Sequence, residues 1–448
     1  MLIRNAWVWA HGPADVRITG DGVIARAPGL RPLPGEPVLD AAGGTLLPGL
    51  HDHHIHLRAL AAAAVSIPAG PPEVTTAGQL SSRLRNAHQT LPIGRWARCV
   101  GYHESVAGPL DRWALDLMLA SRPVRVQHRT GMLWMLNSVA VRQLRLDDCD
   151  EPGVERDPAG RVTGRLWRMD GWLGDRLPGT VDLAAVSAQA AAWGITGFTD
   201  ATPGESGLTA AVVDGTVRQR VHGVAGTATH PRFTLGPVKI LLDDATLPPL
   251  DDLAGQIRAA HAAGRPAAVH CVTRVQLALT LAALADAGRR PGDRIEHGAV
   301  IPAESVADLR GLTVVTQPHF VTERVDQYLS DVAVADRPDL WRLRSLLDAG
   351  VAVALGSDAP YGSADPWAVI RAATARPAGL DGGETIPAAT AIGLFLGEPA
   401  APGIPRTVTP GRPADLTLLT VPPAEAARAP SADLVAATFV AGQPIYQR

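Results

Sequence analysis

Lysine is almost missing from this sequence: of its 41 basic residues one, Lys239, is a lysine and the rest are arginines. A surface charge can be of either type, so the exception marks a position where chemistry can demand an amine able to lose its proton, which a guanidinium cannot do. Cysteine is nearly as sparse. Cys99, Cys149 and Cys271 lie far apart and form no CxxC pair, so neither a disulfide framework nor a thiolate zinc site is indicated. No stretch reaches the roughly 18 unbroken apolar residues of a spanning helix. The opening MLIRNAWVWAHG carries no apolar core of signal-peptide length, so a cytoplasmic protein is expected. An excess of positive charge is also absent. With a net charge of -3, neither nucleic acid nor a membrane is expected as partner. What is present, 46% hydrophobic and 19% charged residues, is ordinary for a globular enzyme with a large buried core. A homo-oligomer stays open.

From about residue 181 the chain repeats a helix pattern, a glycine and a short apolar run, the alternation of a parallel βα array. VDLAAVSAQAAAWG leads to ITGFTD, DDLAGQIRAAHAAG to AAVHCV, and LWRLRSLLDAG to VAVALGSD, each glycine standing where a helix ends in a left-handed residue. Strand candidates fall at 45–56, 195–200, 221–227, 237–244, 267–272, 294–298, 313–318 and 351–358. Eight such strands predict an α/β fold, a (β/α)8 TIM barrel over 47–402 with its site at the C-terminal strand ends. An open doubly wound sheet is the alternative, against which stands the lack of a glycine-rich phosphate turn after the first strand. Residues 1–46 and 403–448 alternate apolar and polar side chains between Gly/Pro turns and are expected to form one small β-sandwich. Residues 57–194 are too long for a single βα connection and are expected to be an insertion between barrel strands 1 and 2.

His54 and His56 stand two apart on the first strand and so share a face with Asp52, while His51 and His53 point the other way. An HxH pair alone is as readily a satisfied polar pair as a metal site, but this one lies at a strand's C-terminal end. Lys239, His270, His297 and Asp358 each sit near the end of a strand of their own. Imidazoles and carboxylates are good zinc ligands, and an aspartate beside them can act as a base. The structural alternative for Lys239 is an ion pair with Asp243 or Asp244. In the insertion, Tyr102, His103, His128, Trp134 and Trp167 are candidates for the substrate pocket, with core packing the competing role. Cys271 neighbours a candidate ligand yet should face away from it.

These motifs together carry a resemblance. PGLHDHHIH, VKI, RIEHG, VVTQP and GSDAPYGSADPW resemble the successive strand signatures of the amidohydrolase superfamily, and PVRVQHRTGMLWMLNS, AGRVTGRL and PGRPADLTLL resemble the insertion and tail of its N-substituted formamide deformylase-like branch. The resemblance covers nearly the whole chain. It implies a binuclear zinc site: His54 and His56 on one metal, His270 and His297 on the other, a carboxylated Lys239 (a CO2-derived carbamate) bridging both, and Asp358 as metal ligand and catalytic acid/base. The nucleophile implied is a metal-activated hydroxide. A mononuclear site with a structural lysine is the alternative. The chain departs from the pattern where Asp243 and Asp244 replace Asp-Gly, and where Cys271, Val272 and Thr273 replace a small residue and Gly-Asp. These departures bear on substrate more than on metal.

The expected activity is hydrolysis of a C–N amide bond in a small acyclic amide or N-acyl amine. Ring opening of a cyclic amide or imide needs the same residues and is the second enzymatic reading. A deaminase makes less use of the lysine. A non-catalytic scaffold would have gaps in the ligand set, and none is present.

Overall fold

The computed structural model describes every residue except 178, 180, 205, 206, 229 and 381. The chain divides into two compact units, Met1–Leu57 with Leu183–Arg448, and Arg58–Asp182. The smaller unit thus ends before the helix Leu183–Ala192, twelve residues inside the insertion expected from the sequence.

The larger unit is α/β, built on parallel strands β1 (Leu50–Ile55), β2 (Ile195–Asp200), β3 (Arg220–Gly223), β4 (Val238–Ile240), β5 (Ala267–Cys271), β6 (Arg294–His297), β7 (Thr313–Thr316) and β8 (Ala352–Leu355). β1, β2 and β3 pair in that order and continue into the short strand Phe233–Leu235, while β4 to β8 pair consecutively in a second sheet. The segment that leaves the first sheet at Leu235 enters the second at Val238. Beyond the ends of β8 and β1 the backbone bonds again, Asp358 N donating to His54 O at 2.7 Å and His56 N to Ala359 O at 2.9 Å.

Helices cover these strands for reasons visible in the residues. Leu250–Ala262 turns Leu253, Ala254, Ile257 and Ala260 inward at the spacing of one helix face. Each fully buried Leu or Ile contributes about 1.5–3 kcal/mol. Arg274–Ala287 starts at Thr273, whose hydroxyl accepts from Gln276 N at 3.2 Å. Gly194, Gly264 and Gly350 all have positive φ, +83°, +76° and +75°, as the helix–glycine–strand repeat requires. The first strand expected from the sequence is two, Thr45–Pro48 and β1, broken at Gly49, where a Cβ would meet Thr196 at 2.0 Å.

The terminal segments pair in one eight-stranded sheet. In it Thr45–Pro48 joins the N-terminal strand Leu2–Val8 to the C-terminal strand Leu416–Leu419. Ile3, Val8, Val16, Leu418 and Phe439 pack on one another there. The smaller unit holds a six-stranded sheet of its own. No helix among the described residues is long and apolar enough to cross a membrane.

Candidate metal centre

Five parallel strands deliver their C-terminal residues to one place. His54 lies in β1 and His56 just past it, Lys239 in β4, His270 in β5, His297 at the end of β6, and Asp358 three residues beyond β8. Ligand atoms of His54, His56 and Asp358 lie within 4.8 Å of one another. Asp358 Oδ1 stands 3.5 Å from His54 Nε2 and 3.3 Å from His56 Nε2, while its Oδ2 stands 3.8 Å from His297 Nδ1. The ring of His297 lies 4.7 Å from that of His54 and 4.5 Å from that of His270.

Register explains two of these placements and fails for a third. Lys239 pairs with Ala268 and His270 with Glu296, so all four share the sheet face that carries the site. His297 pairs with Cys271, and Cys271 faces the helices, its Sγ 3.3 Å from Thr280 Oγ1. Alternation alone would bury His297 there too. Its φ of +71° turns the chain instead and returns the imidazole to the site, where Gln317 Oε1 lies 2.9 Å from Nδ1. Asp358 is likewise left-handed, at φ +51°. A non-glycine residue held there costs of order 1–3 kcal/mol and persists only where its surroundings over-determine it.

The electrostatics favour ligand protonation states. Burial, then the charge of Lys239, lowers His54 to about 3 against the opposing pull of Glu296 and Asp358, so its imidazole is neutral. Burial and the adjacent His297 hold His270 far below its ordinary range, and burial lowers His297 as well. Burial pushes the Asp358 carboxyl up, but His56, His297 and His54 more than offset this and leave it well below the usual carboxylate range. Burial lowers the Lys239 amine although Glu296 and Asp358 pull the other way. Lys239 Nζ, His54 Nε2 and Asp358 Oδ1 are buried without hydrogen-bond partners among the described residues. Asp244, one of the two acidic neighbours considered for Lys239, accepts from Thr273 and Gln276. Neutral imidazoles, a carboxylate and an unpaired amine with inward-facing, unsatisfied atoms fit a divalent cation.

Sequence reasoning missed Glu296. Its carboxylate is fully buried, bonds Nδ1 of His54 through Oε2, and ion-pairs with Arg294 Nε at 2.6 Å through Oε1. Burial pushes it up, yet Arg294, His54 and Lys239 keep it ionised, well below the usual range. The signal was the period of two, which puts Glu296 on the face of His270. Tyr361 was also missed; its ring meets that of His56 edge-on at 5.5 Å.

The expected pocket residues lie in the smaller unit. Tyr102 and Trp134 are buried in its cores, Trp134 Nε1 donating to Asp170 at 2.8 Å. His103 caps the short helix Glu104–Ala107, His128 Nε2 sits 3.0 Å from Glu104, and Trp167, 42% exposed, donates to Glu155 at 2.9 Å.

Among solved structures, the chain is similar to an uncharacterized metal-dependent hydrolase from Pyrococcus horikoshii OT3, with a TM-score of 0.74 at 17% identity, covering 94% of this chain and 97% of that one. Another from Pyrococcus furiosus gives 0.71 at 18% identity over 94% and 98%. The zinc complex of atrazine chlorohydrolase from Arthrobacter aurescens TC1 gives 0.57 at 16% identity over 100% and 95%. These likenesses concern the fold. An N-substituted formamide deformylase from Arthrobacter pascens is 28% identical over 141 residues, 30% of this chain and 26% of that protein's length. A family model for the amidohydrolase family matches residues 37–446. The chain belongs to the amidohydrolase family of metal-dependent hydrolases.

Proposed function

We propose that this chain hydrolyses the C–N bond of a small acyclic amide or N-acyl amine with two zinc ions held at the strand ends. The observation that carries the reading is the convergence of His54 Nε2, His56 Nε2 and Asp358 Oδ1 beside an unpaired buried lysine. His54 and His56 would hold one ion, His270 and His297 the other, and Lys239, carboxylated by CO2, both. When bound, such ions acidify a water and polarise a carbonyl. The seam between β1 and β8 supports closure of the eight strands into a barrel, with the shared terminal sheet as part of a β-sandwich beside it.

The residues divide the remaining work. Glu296 fixes the tautomer of His54 by accepting a hydrogen bond from its Nδ1–H, which leaves the Nε2 lone pair turned to the site. Gln317 orients His297 in the same way. Asp358, ionised and with Oδ1 facing the two imidazoles, accepts the proton of the attacking water and returns it to the leaving nitrogen. The partial match to a formamide deformylase supports an N-acyl amine over other amides. Incubation with a panel of N-formyl and N-acetyl amines, read by mass spectrometry, tests this: cleavage into acid and amine supports it, and a single hydrated product from cyclic amides alone refutes it.

A further inference from the structure

Asp358 is left-handed without being glycine, so something must grip the peptides around it. The carbonyl of His54 takes Asp358 N at 2.7 Å, Tyr361 N donates to Asp358 O at 2.9 Å, and His56 N to Ala359 O at 2.9 Å. Those are main-chain bonds available to many sequences. The peptides on either side of Ser357 are held by side chains instead. Asp52, fully buried in β1, accepts from Ser357 N at 3.0 Å through Oδ1, and the same oxygen takes His54 N at 3.1 Å. His319, fully buried in the helix His319–Glu323, lies with Nε2 3.1 Å from Ser357 O. A Cβ at Gly362 would meet His319 Nε2 at 2.3 Å, so the chain leaving Asp358 packs against that same ring.

We propose that Asp52 and His319 are positioning residues that together clamp the Ser357 peptides and thereby hold Asp358 in its left-handed conformation facing His54 and His56. One oxygen of Asp52 serves both the first ligand strand and the turn of the catalytic carboxylate, and so adds a side-chain tie to the two main-chain bonds between them. His319 closes the clamp from β7's side. The interaction needs only an acceptor at 52 and a donor at 319. Asn at 52 keeps the acceptor, whereas Ala removes it.

The inference rests on the proposed role of Asp358 for its catalytic consequence, not for its geometry. Amide hydrogen exchange at Asp358, one residue beyond the contact removed, reads the geometry without any substrate. In zinc-loaded protein, Asp52→Ala and His319→Ala should each speed exchange at Asp358 about tenfold or more, and Asp52→Asn should leave it within about twofold of wild type. Turnover of an N-formyl amine should follow the same order, kcat falling with little change in KM. If Asp52→Ala does not fold, His319→Ala tests the clamp from its other side. Unchanged exchange at Asp358 in His319→Ala, or Asp52→Asn as fast as Asp52→Ala, overturns the clamp. Faster exchange with undiminished turnover upholds the clamp and refutes instead the assignment of the proton transfers to Asp358.

Discussion

The carboxylate of Glu296 reaches Nδ1 of His54 while its other oxygen holds the buried guanidinium of Arg294. A ligand imidazole whose second nitrogen is so fixed presents a single tautomer, and loss of such a partner typically costs about 10–100-fold in metal affinity. Glu296→Ala should therefore weaken zinc binding by about that factor, measured by chelator competition. It should also destabilise the fold by about 3–5 kcal/mol in urea, because Arg294 is left charged and unpaired in the interior.

Asp358→Asn keeps the shape of the side chain and removes its ability to accept a proton. Metal content should stay close to wild type while kcat falls about 10²–10⁴-fold, the usual scale of general acid–base catalysis. Wild-type turnover across pH in this variant would take Asp358 out of the proton transfers.

Lys239→Arg separates a bridging lysine from a merely cationic one. Arginine keeps the charge but cannot lose its proton and add CO2, and it would place a cation among the metal ligands. The variant should lose bound zinc and turnover. Lys239→Ala should be equally inactive, and a short carboxylic acid supplied with zinc should restore part of the rate. Normal metal content in Lys239→Arg would show that the lysine is not a bridge.

His222, which is not among the proposed ligands, supplies a pH test. Burial, then the charges of Arg294 and Arg265, lowers it to about 3, and its Nδ1 is 2.8 Å from Thr234 Oγ1. Unfolded, the same histidine takes a proton near pH 6.5. Between these values the unfolded chain binds more protons. The contribution of His222 to stability is therefore complete above about pH 6.5 and is lost as the pH falls toward 3. His222→Gln should flatten the loss of melting temperature between pH 7 and 5.

What was legible in the sequence follows physical periods. The helix–glycine–strand repeat located the strands because each glycine needs positive φ, and Gly194, Gly264 and Gly350 have it. Four histidines, a lysine and an aspartate near strand ends could be selected because a parallel sheet brings such ends together. His297 was found by its place near a strand end rather than by alternation, which would have turned it toward the helices. The left-handed backbone at His297 and Asp358 leaves no local mark, since neither is glycine. Asp52 and Glu296 stood next to recognised histidines, but their partners, Ser357 and His54, are 305 and 242 residues away. Only the fold makes those contacts.

The central claim is that cations held at the strand ends are needed for C–N hydrolysis. Its most direct test is to strip the protein with a chelator and titrate zinc back while following release of amine from an N-formyl amine. The account predicts no turnover in metal-free protein, recovery with added zinc, and full rate at about two zinc ions per chain. Turnover by rigorously metal-free protein would contradict it.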